Sequence, residues 1–127
     1  KKFNFDSWHS TSPFESKPYK MQVVKIANSI DPKTVMEVGC GLGEILRKID
    51  APTKIGIDSD PSVIDAAKYL SSDSIKYFSS NLQNIDELDF PISSLDLLLL
   101  VNWTHEVSWN VVKNGLEQIS KRYQIKY

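Results

Sequence analysis

This sequence has 127 residues, a formal net charge of −1, 41% hydrophobic residues and 24% charged residues. These proportions are ordinary for one soluble globular domain, and the length leaves little room for a second domain. Lys, Asp and Glu are mixed along the chain without a basic stripe, so we do not expect a nucleic acid as partner.

Cysteine usage and hydropathy bear on the compartment. Cys40 is the single cysteine and cannot form an intrachain disulfide. The longest apolar run, Leu97–Val101, has five residues, whereas crossing a bilayer takes roughly 20. No positively charged start leads into an apolar stretch, as it does in a secretory signal. We therefore expect a cytoplasmic protein that does not cross a membrane.

The predicted elements begin after an irregular arm at residues 1–18. Its aromatic residues and His9 either fold over a ligand as a lid or pack on the domain. The spacing of apolar residues then predicts a helix over Tyr19–Ile30. Short apolar strands alternate with helices after it. The strands are Thr34–Val38, Lys54–Ile57, Ile75–Phe78 and Asp96–Val101, and the helices are Gly43–Ile49 and Ser62–Leu70.

A last predicted helix carries one apolar packing stripe, formed by Trp109, Val112, Leu116, Ile119 and Tyr123. The alternation of strands and helices predicts an α/β fold for residues 19–127, with right-handed connections and an open, doubly wound, mostly parallel sheet.

Gln124–Tyr127 has the pattern of a fifth strand just beginning. We therefore expect that the C-terminal strands of the sheet are missing from this sequence. The alternative is that a partner chain, as in a homo-oligomer, or a swapped element covers the apolar edge of the fourth strand.

The turn after the first predicted strand is the strongest candidate site. In open α/β sheets, ligands bind outside the carboxyl ends of the strands, where the strand order reverses. Gly39, Gly41 and Gly43 permit a sharp turn and a close approach to a ligand, and the helix predicted after them would offer unpaired N–H groups to an anion. Asp58, roughly 20 residues beyond the turn, ends the second strand, where a carboxylate accepts hydrogen bonds from ribose hydroxyls.

Spacing and charge distinguish two classes of adenosine cofactor. The dinucleotide fingerprint is G-x-G-x-x-G, but this turn reads G-x-G-x-G, and Glu44 stands where the third fingerprint glycine would be. A diphosphate would meet both Glu37 and Glu44. Such like charges repel by about 1 kcal/mol in water and several times more in a partly dry cleft. A ligand that carries a sulfonium and an ammonium is attracted to the same carboxylates.

The stretches VMEVGCGLG, IGIDSDP and LDLLLLVNWTHEV resemble the first, second and fourth motifs of the class I S-adenosylmethionine-dependent methyltransferases. The resemblance implies a Rossmann-like fold and S-adenosyl-L-methionine as cofactor. Asn81 stands where the family usually has an acidic residue. The residues that the resemblance places at the cofactor are Glu37, Gly39, Cys40, Gly41 and Gly43 around the methionine portion, Asp58 at the ribose, Asn81 and Leu82 at the adenine, and Asn102 and Trp103 between cofactor and substrate.

Other polar residues have competing interpretations. Asp60, before a proline, has the pattern of a helix N-cap. Glu44 is either a favourable charge in a first helical turn or a ligand contact. Cys40, although within the turn, is expected to be a buried small residue. His105 is either a general base or an ordinary loop residue, and Asn102 is the second candidate for catalysis.

The resemblance implies in-line methyl transfer, and we expect a small-molecule acceptor. The fourth motif reads Asn-Trp-Thr-His, without the Asn-Pro-Pro-Tyr of relatives that methylate amines of bases or glutamine. Positioning alone can contribute roughly 7 to 11 kcal/mol to such a reaction, so no catalytic triad is required. No cluster has metal-ligand spacing, so a bound metal is not expected. Two alternatives are a nicotinamide-dependent Rossmann oxidoreductase and a non-catalytic cofactor-binding or interaction module.

Overall fold

The structure is a computed structural model that describes residues 17–101 and 103–127. It contains three α-helices and four strands in these ranges. In chain order they are α1 (Pro18–Ile30), β1 (Thr34–Val38), β2 (Thr53–Asp58), α2 (Pro61–Leu70), β3 (Ile75–Ser79), β4 (Leu97–Leu100) and α3 (Trp109–Arg122). Single 3-10 turns add Leu46–Lys48 and Thr104–Glu106, and a longer 3-10 segment covers Leu82–Glu87. The predicted arm lies outside the described residues, apart from Lys17 and Pro18.

The four strands form one parallel sheet in the order β3-β2-β1-β4. The chain adds strands outward from β1 to β3 and then returns to the other side of β1 for β4. The strand order therefore reverses between β1 and β4, which is where open α/β sheets bind ligands. This arrangement confirms the predicted α/β class and the doubly wound parallel sheet.

Helices cover both faces of the sheet. On one face, α1 and α2 bury Val24, Ala27, Ile64 and Ala67 against the strands. On the other face, α3 packs against a second cluster that includes Met36, Ile55, Ile57, Val112 and Ile119. Strands buried on both faces become nearly continuous apolar runs, and this explains why the sequence predicted them well. Asp60 caps α2 as expected, because its side chain accepts a hydrogen bond from the Ser62 N–H at 2.9 Å.

The predicted helix over Gly43–Ile49 is wrong, since only Leu46–Lys48 is helical, as a 3-10 turn. Two side chains form hydrogen bonds with backbone groups that would be paired with each other in an α-helix. The Lys54 ammonium donates to the carbonyls of Leu46 and Ile49 at 2.8 and 3.0 Å. The Asp50 N–H donates to the Asn28 side chain at 2.8 Å. Tertiary contacts therefore replace the helical ladder here, although the apolar spacing is typical of a helix.

The predicted packing stripe of α3 is also partly wrong. Trp109 is 70% exposed, while Val112, Ile119 and Tyr123 are buried and Leu116 packs against the same cluster. Ser108 caps the helix, so Trp109 is its first residue. Contact with the core begins one turn later, at Val112.

The segment after α3 pairs with the edge of β4. Ile125 forms a parallel bridge with Leu95, and the Leu98 N–H donates to the Tyr127 carbonyl at 2.9 Å. This pairing agrees with the predicted start of a fifth strand. The Asp96 carboxylate ties the segment to the sheet, because it accepts from the Lys33 N–H at 2.8 Å and contacts the Lys126 ammonium at 3.0 Å.

Candidate binding site

A cleft opens at the carboxyl end of β1, next to the point where the strand order reverses. It encloses a volume of about 50 Å³, and the rest of the cleft is open to solvent. The start of α1 contributes Lys17, Tyr19 and Lys20, and the sheet side contributes Glu37 and the turn from Gly39 to Ile45. The cleft is therefore formed by the segment that the sequence singled out, together with an α1 face that the sequence analysis did not assign to the site.

Four amide groups of the glycine turn have acceptors within the protein. Gly39, Gly41 and Gly43 have φ values of 77°, 55° and 77°, a region that favours glycine. The N–H groups of Gly39 and Cys40 donate to the Ile57 carbonyl at 2.7 and 2.9 Å, and the Gly43 N–H donates to the Cys40 carbonyl at 3.0 Å. The Gly41 N–H donates to the Asp58 carboxylate at 3.0 Å. The prediction that a helix here offers unpaired N–H groups to an anion is therefore wrong, because no α-helix follows and these four amides already have acceptors.

Two of the glycines are required by packing. A Cβ atom at Gly39 would lie 2.5 Å from the indole of Trp103, and one at Gly43 would overlap the Tyr77 hydroxyl. The Trp103 Nε1 donates to the Val38 carbonyl at 2.6 Å. Trp103 thereby covers the end of β1 beside the cleft. Gly39 lines the cleft and Gly43 does not.

Asp58 holds the turn in place. Besides the Gly41 N–H, its carboxylate accepts the Asp60 N–H at 3.1 Å. A carboxylate offers about four lone-pair positions, so these two bonds leave capacity for a ligand donor. The ribose contact of Asp58 stays a prediction.

Glu37 is the most unusual group of the site. It is only 2% exposed, and its Oε2 atom has no hydrogen-bond partner among the described residues. Burial raises the pKa of Glu37 to about 8, while the nearby Lys20 lowers the pKa and the charges of Asp58 and Glu44 raise it. A buried carboxyl group without a partner is unfavourable. Its position in the wall of the cleft points to a ligand that donates hydrogen bonds and carries positive charge.

Glu44, the second predicted carboxylate, is paired within the protein. Its Oε2 lies 2.5 Å from the Lys20 ammonium, and the two side chains are 17% and 13% exposed. The expectation that Glu44 sits in the first turn of a helix is wrong, since it precedes the 3-10 turn at Leu46–Lys48. Glu37 and Glu44 therefore have different roles. Glu37 has a carboxyl oxygen without a partner among the described residues, and Glu44 binds α1 to the turn.

Cys40 is buried, as predicted, with 7% of its surface exposed. Burial, followed by the negative charges of Glu37 and Asp58, raises the pKa of its thiol well above the ordinary value. The thiol therefore stays protonated, which favours a packing role.

Three other predicted site residues, Asn81, Leu82 and His105, do not line the cleft. Asn81 caps the segment Leu82–Glu87, where its side chain accepts the Asn84 N–H at 3.0 Å. Leu82 is buried against Gly115 of α3. His105 is exposed, with its Nε2 3.8 Å from the Glu106 carboxylate. Asn102 lies outside the described residues. The cofactor and catalytic roles of these residues stay predictions.

Sequence reasoning missed Lys20. The signal was the stretch Lys17-Pro18-Tyr19-Lys20, because proline favours the first helical position and thereby marks the start of a helix. Residues three apart lie on one helix face, so this stretch could have indicated that Lys17 and Lys20 lie on the same side of the helix start. No local pattern identifies that face as the one that meets the glycine turn.

Two absences among the described residues are relevant. Within residues 17–101 and 103–127, no group of three or more His, Cys, Asp or Glu side chains is placed to hold a metal ion. In the same ranges, every helix is too short or too polar to cross a membrane.

Comparison with known proteins identifies relatives of this chain. Residues 36–121 match a family model described as a methyltransferase domain. "Putative methyltransferase 235L" of Invertebrate iridescent virus 6 is 32% identical over 130 residues, which cover 95% of this chain and 47% of that protein. The chain thus spans about half the length of this curated relative.

Solved structures share the fold. N-methyltransferase NodS from Bradyrhizobium japonicum WM9, in complex with S-adenosyl-l-homocysteine, matches with a TM-score of 0.74 at 15% identity, covering 94% of this chain and 62% of that one. The plantazolicin methyltransferase BpumL, in complex with a triazolic desmethylPZN analog and SAH, matches with a TM-score of 0.64 at 20% identity. That match covers 93% of this chain and 46% of BpumL.

Proposed function

Because the chain belongs to the methyltransferase domain family, we propose that it binds S-adenosyl-L-methionine and transfers its methyl group to a small-molecule acceptor. When bound, the cofactor would supply a methyl group on a positively charged sulfur. A nucleophilic atom of the acceptor would bond to the methyl carbon in line with the carbon–sulfur bond, which would break to release S-adenosylhomocysteine. Everything else required of the protein is binding, alignment and exclusion of water.

The observation that carries this proposal is the buried Glu37 carboxyl with an unpartnered oxygen in the wall of the cleft. An ammonium group satisfies that oxygen and neutralises the charge of the ionised carboxylate. A charge-assisted hydrogen bond of this kind is worth about 1.5 to 3 kcal/mol. The residues therefore fit the amino-acid end of S-adenosylmethionine.

The same site is poorly suited to a diphosphate. Nucleotide sites on Rossmann sheets use backbone N–H groups at a helix N-terminus. Here the amides of Gly39, Cys40, Gly41 and Gly43 already have acceptors, and the nearest unpartnered side-chain oxygen belongs to a carboxyl group. These features argue against the nicotinamide-dependent oxidoreductase.

The proposed roles of the other residues follow the topology. Gly39, Cys40 and Gly41 line the cleft and would face the methionine portion, with Gly43 supporting the turn. Asp58, at the end of β2, would bind the ribose, and Asn81 and Leu82 would lie towards the adenine. Trp103, which packs on Gly39, would separate the cofactor from the acceptor, together with Asn102.

Catalysis in this proposal depends mainly on positioning. Holding the nucleophile in line with the methyl group can contribute roughly 7 to 11 kcal/mol. His105 would act as a general base only if the acceptor arrives protonated, and such a base typically adds about 10²- to 10⁴-fold. Its exposed position on the loop after β4 leaves it accessible to an acceptor.

Calorimetric titration tests the proposal. Wild-type protein is expected to bind S-adenosylhomocysteine and to show no measurable binding of NAD at the same concentrations. Glu37→Gln should weaken S-adenosylhomocysteine binding about 10- to 100-fold, because it removes a charge-assisted bond. Glu117→Gln, on the exposed face of α3, is the matched control and should leave affinity unchanged. Tight NAD binding, or equal affinity in the Glu37 and Glu117 variants, would refute the proposal.

A non-catalytic binding module makes a different prediction. It binds S-adenosylhomocysteine but never consumes S-adenosylmethionine in the presence of candidate acceptors. Incubation with methyl-labelled S-adenosylmethionine and pooled small-molecule nucleophiles, followed by mass spectrometry, distinguishes the two functions.

A further inference from the structure

One end of the cleft carries charges of both signs. Lys17 and Lys20 reach it from the start of α1, and Glu37 and Glu44 reach it from β1 and the glycine turn. A ligand with a single positive group would be matched by the carboxylates alone. The paired signs match a zwitterion, in which an ammonium and a carboxylate are attached to the same carbon.

Part of the turn's backbone is already occupied within the protein and is not available to a ligand carboxylate. The four amides of Gly39, Cys40, Gly41 and Gly43 all donate to acceptors within the protein. The side-chain donors that line this end of the cleft include the ammonium groups of Lys17 and Lys20. Lys20 is the one whose positive charge acts on Glu37, so it lies close to the group proposed to bind the ammonium.

We propose that Lys20 binds the α-carboxylate of the cofactor's amino-acid portion, and that its ion pair with Glu44 holds it at the cleft until the ligand arrives. The inference rests on the proposed function and extends it to a residue of α1. Glu37 then binds the ammonium of the amino-acid group, and Lys20 binds its carboxylate. An ion pair that is 13% and 17% exposed at its two side chains keeps the lysine side chain ordered, which reduces the entropy lost on binding.

The test compares three ligands that differ only at the amino-acid end. S-adenosylhomocysteine carries both charges, decarboxylated S-adenosylhomocysteine keeps only the ammonium, and 5′-methylthioadenosine has neither. Lys20→Met is expected to weaken S-adenosylhomocysteine binding about 10- to 100-fold. The affinities of the other two ligands should change less than about threefold, since they make no carboxylate contact with Lys20.

Two further variants separate recognition from structure. Lys25→Met, on the exposed face of the same helix, is the control for losing a positive charge from α1 and should bind all three ligands as wild type does. Glu44→Gln breaks the ion pair but leaves the lysine in place, so it loses only the ordering of that side chain and should weaken S-adenosylhomocysteine binding less than about threefold. A loss in Glu44→Gln as large as that in Lys20→Met would overturn the inference, because the ion pair itself would then be what matters.

The ligand series also separates this inference from the proposed function. Equal weakening of all three ligands in Lys20→Met, or of none, refutes the role of Lys20 while leaving cofactor binding established. Wild-type protein that binds neither S-adenosylhomocysteine nor 5′-methylthioadenosine refutes the proposed function and this inference with it.

Discussion

Replacing the buried Glu37 by glutamine should change how stability depends on pH. Burial raises the pKa of this carboxyl from 4.5 to about 8. The folded protein therefore keeps a proton that the unfolded chain releases above about pH 4.5. Stability falls with pH wherever the folded state binds more protons. The free energy of unfolding of wild-type protein should thus decrease through this group as the pH rises from 4.5 to 8.

The expected size follows from the shift. One pKa unit corresponds to about 1.4 kcal/mol, so the full interval is worth about 5 kcal/mol. Glutamine has nearly the same shape but does not ionise. Relative to wild type, Glu37→Gln should gain about 1.4 kcal/mol of stability for each pH unit between 5 and 8. Other titrating groups contribute to both proteins and cancel in the difference.

Guanidinium denaturation of ligand-free protein at pH 5, 6, 7 and 8, with constant ionic strength, measures this difference. Glu117→Gln serves as the control and should follow wild type throughout. If the Glu37→Gln and wild-type curves differ by the same amount at every pH, the carboxyl is not held protonated by burial and the reasoning is refuted. In the ligand-bound protein the pH dependence should be weaker, because an ammonium stabilises the ionised form.

Three other changes test separate parts of the structure. Gly39→Ala should destabilise the fold by roughly 1 to 3 kcal/mol, because it introduces a side chain at positive φ and against Trp103; in the double variant with Trp103→Ala, thermal unfolding should show that part of this loss is relieved, and strictly additive losses would contradict the contact. Asp58→Ala should weaken S-adenosylhomocysteine binding by roughly 1.5 to 3 kcal/mol in calorimetric titration, and a loss below a few tenths would place the ribose elsewhere. The contacts with Lys126 and the Lys33 N–H lower the pKa of Asp96. Asp96→Asn should therefore be less stable than wild type at neutral pH, and the difference in stability should be smallest in acid, below the ordinary aspartate pKa. A difference in unfolding free energy that grows on acidification would contradict this.

The strands could be predicted from the sequence because strands that are buried on both faces consist mostly of apolar residues. Each strand of a parallel sheet packs on both faces, so apolar and β-branched residues run almost without interruption. Asp60 with Pro61 likewise marks a helix start through local chemistry. These signals depend only on neighbours in the chain, and the structure agrees with them to within one or two residues.

The segment after the glycine turn could not be predicted in the same way. Its apolar residues have helical spacing, but Lys54 and Asn28 take its carbonyls and an amide from other elements. Such contacts depend on the tertiary fold and leave no periodic pattern. The same holds for Lys20, whose partner Glu44 is 24 residues away, and for the indole of Trp103 against Gly39.

The candidate site, too, could be predicted from the sequence only in part. The location of the cleft followed from the turn after β1 and from the rule for open sheets. The difference between Glu37 and Glu44 did not, because it depends on which carboxylate α1 reaches. The sequence placed two negative charges at the turn, and the structure shows that one of them already has a cation.

The contacts of Lys54 have a consequence for the dynamics of this edge of the molecule. An α-helix melts cooperatively because each turn supports the next. The stretch between the glycines and β2 has only short local backbone hydrogen bonds, such as Lys48 N–H to the Ile45 carbonyl, and is otherwise held by individual side chains. It can therefore open one bond at a time while the sheet stays intact. Amide protons of residues 44–50 should exchange with deuterium well before those of β1 and β2. The segment after the glycine turn should therefore open on a shorter timescale than the sheet beside it.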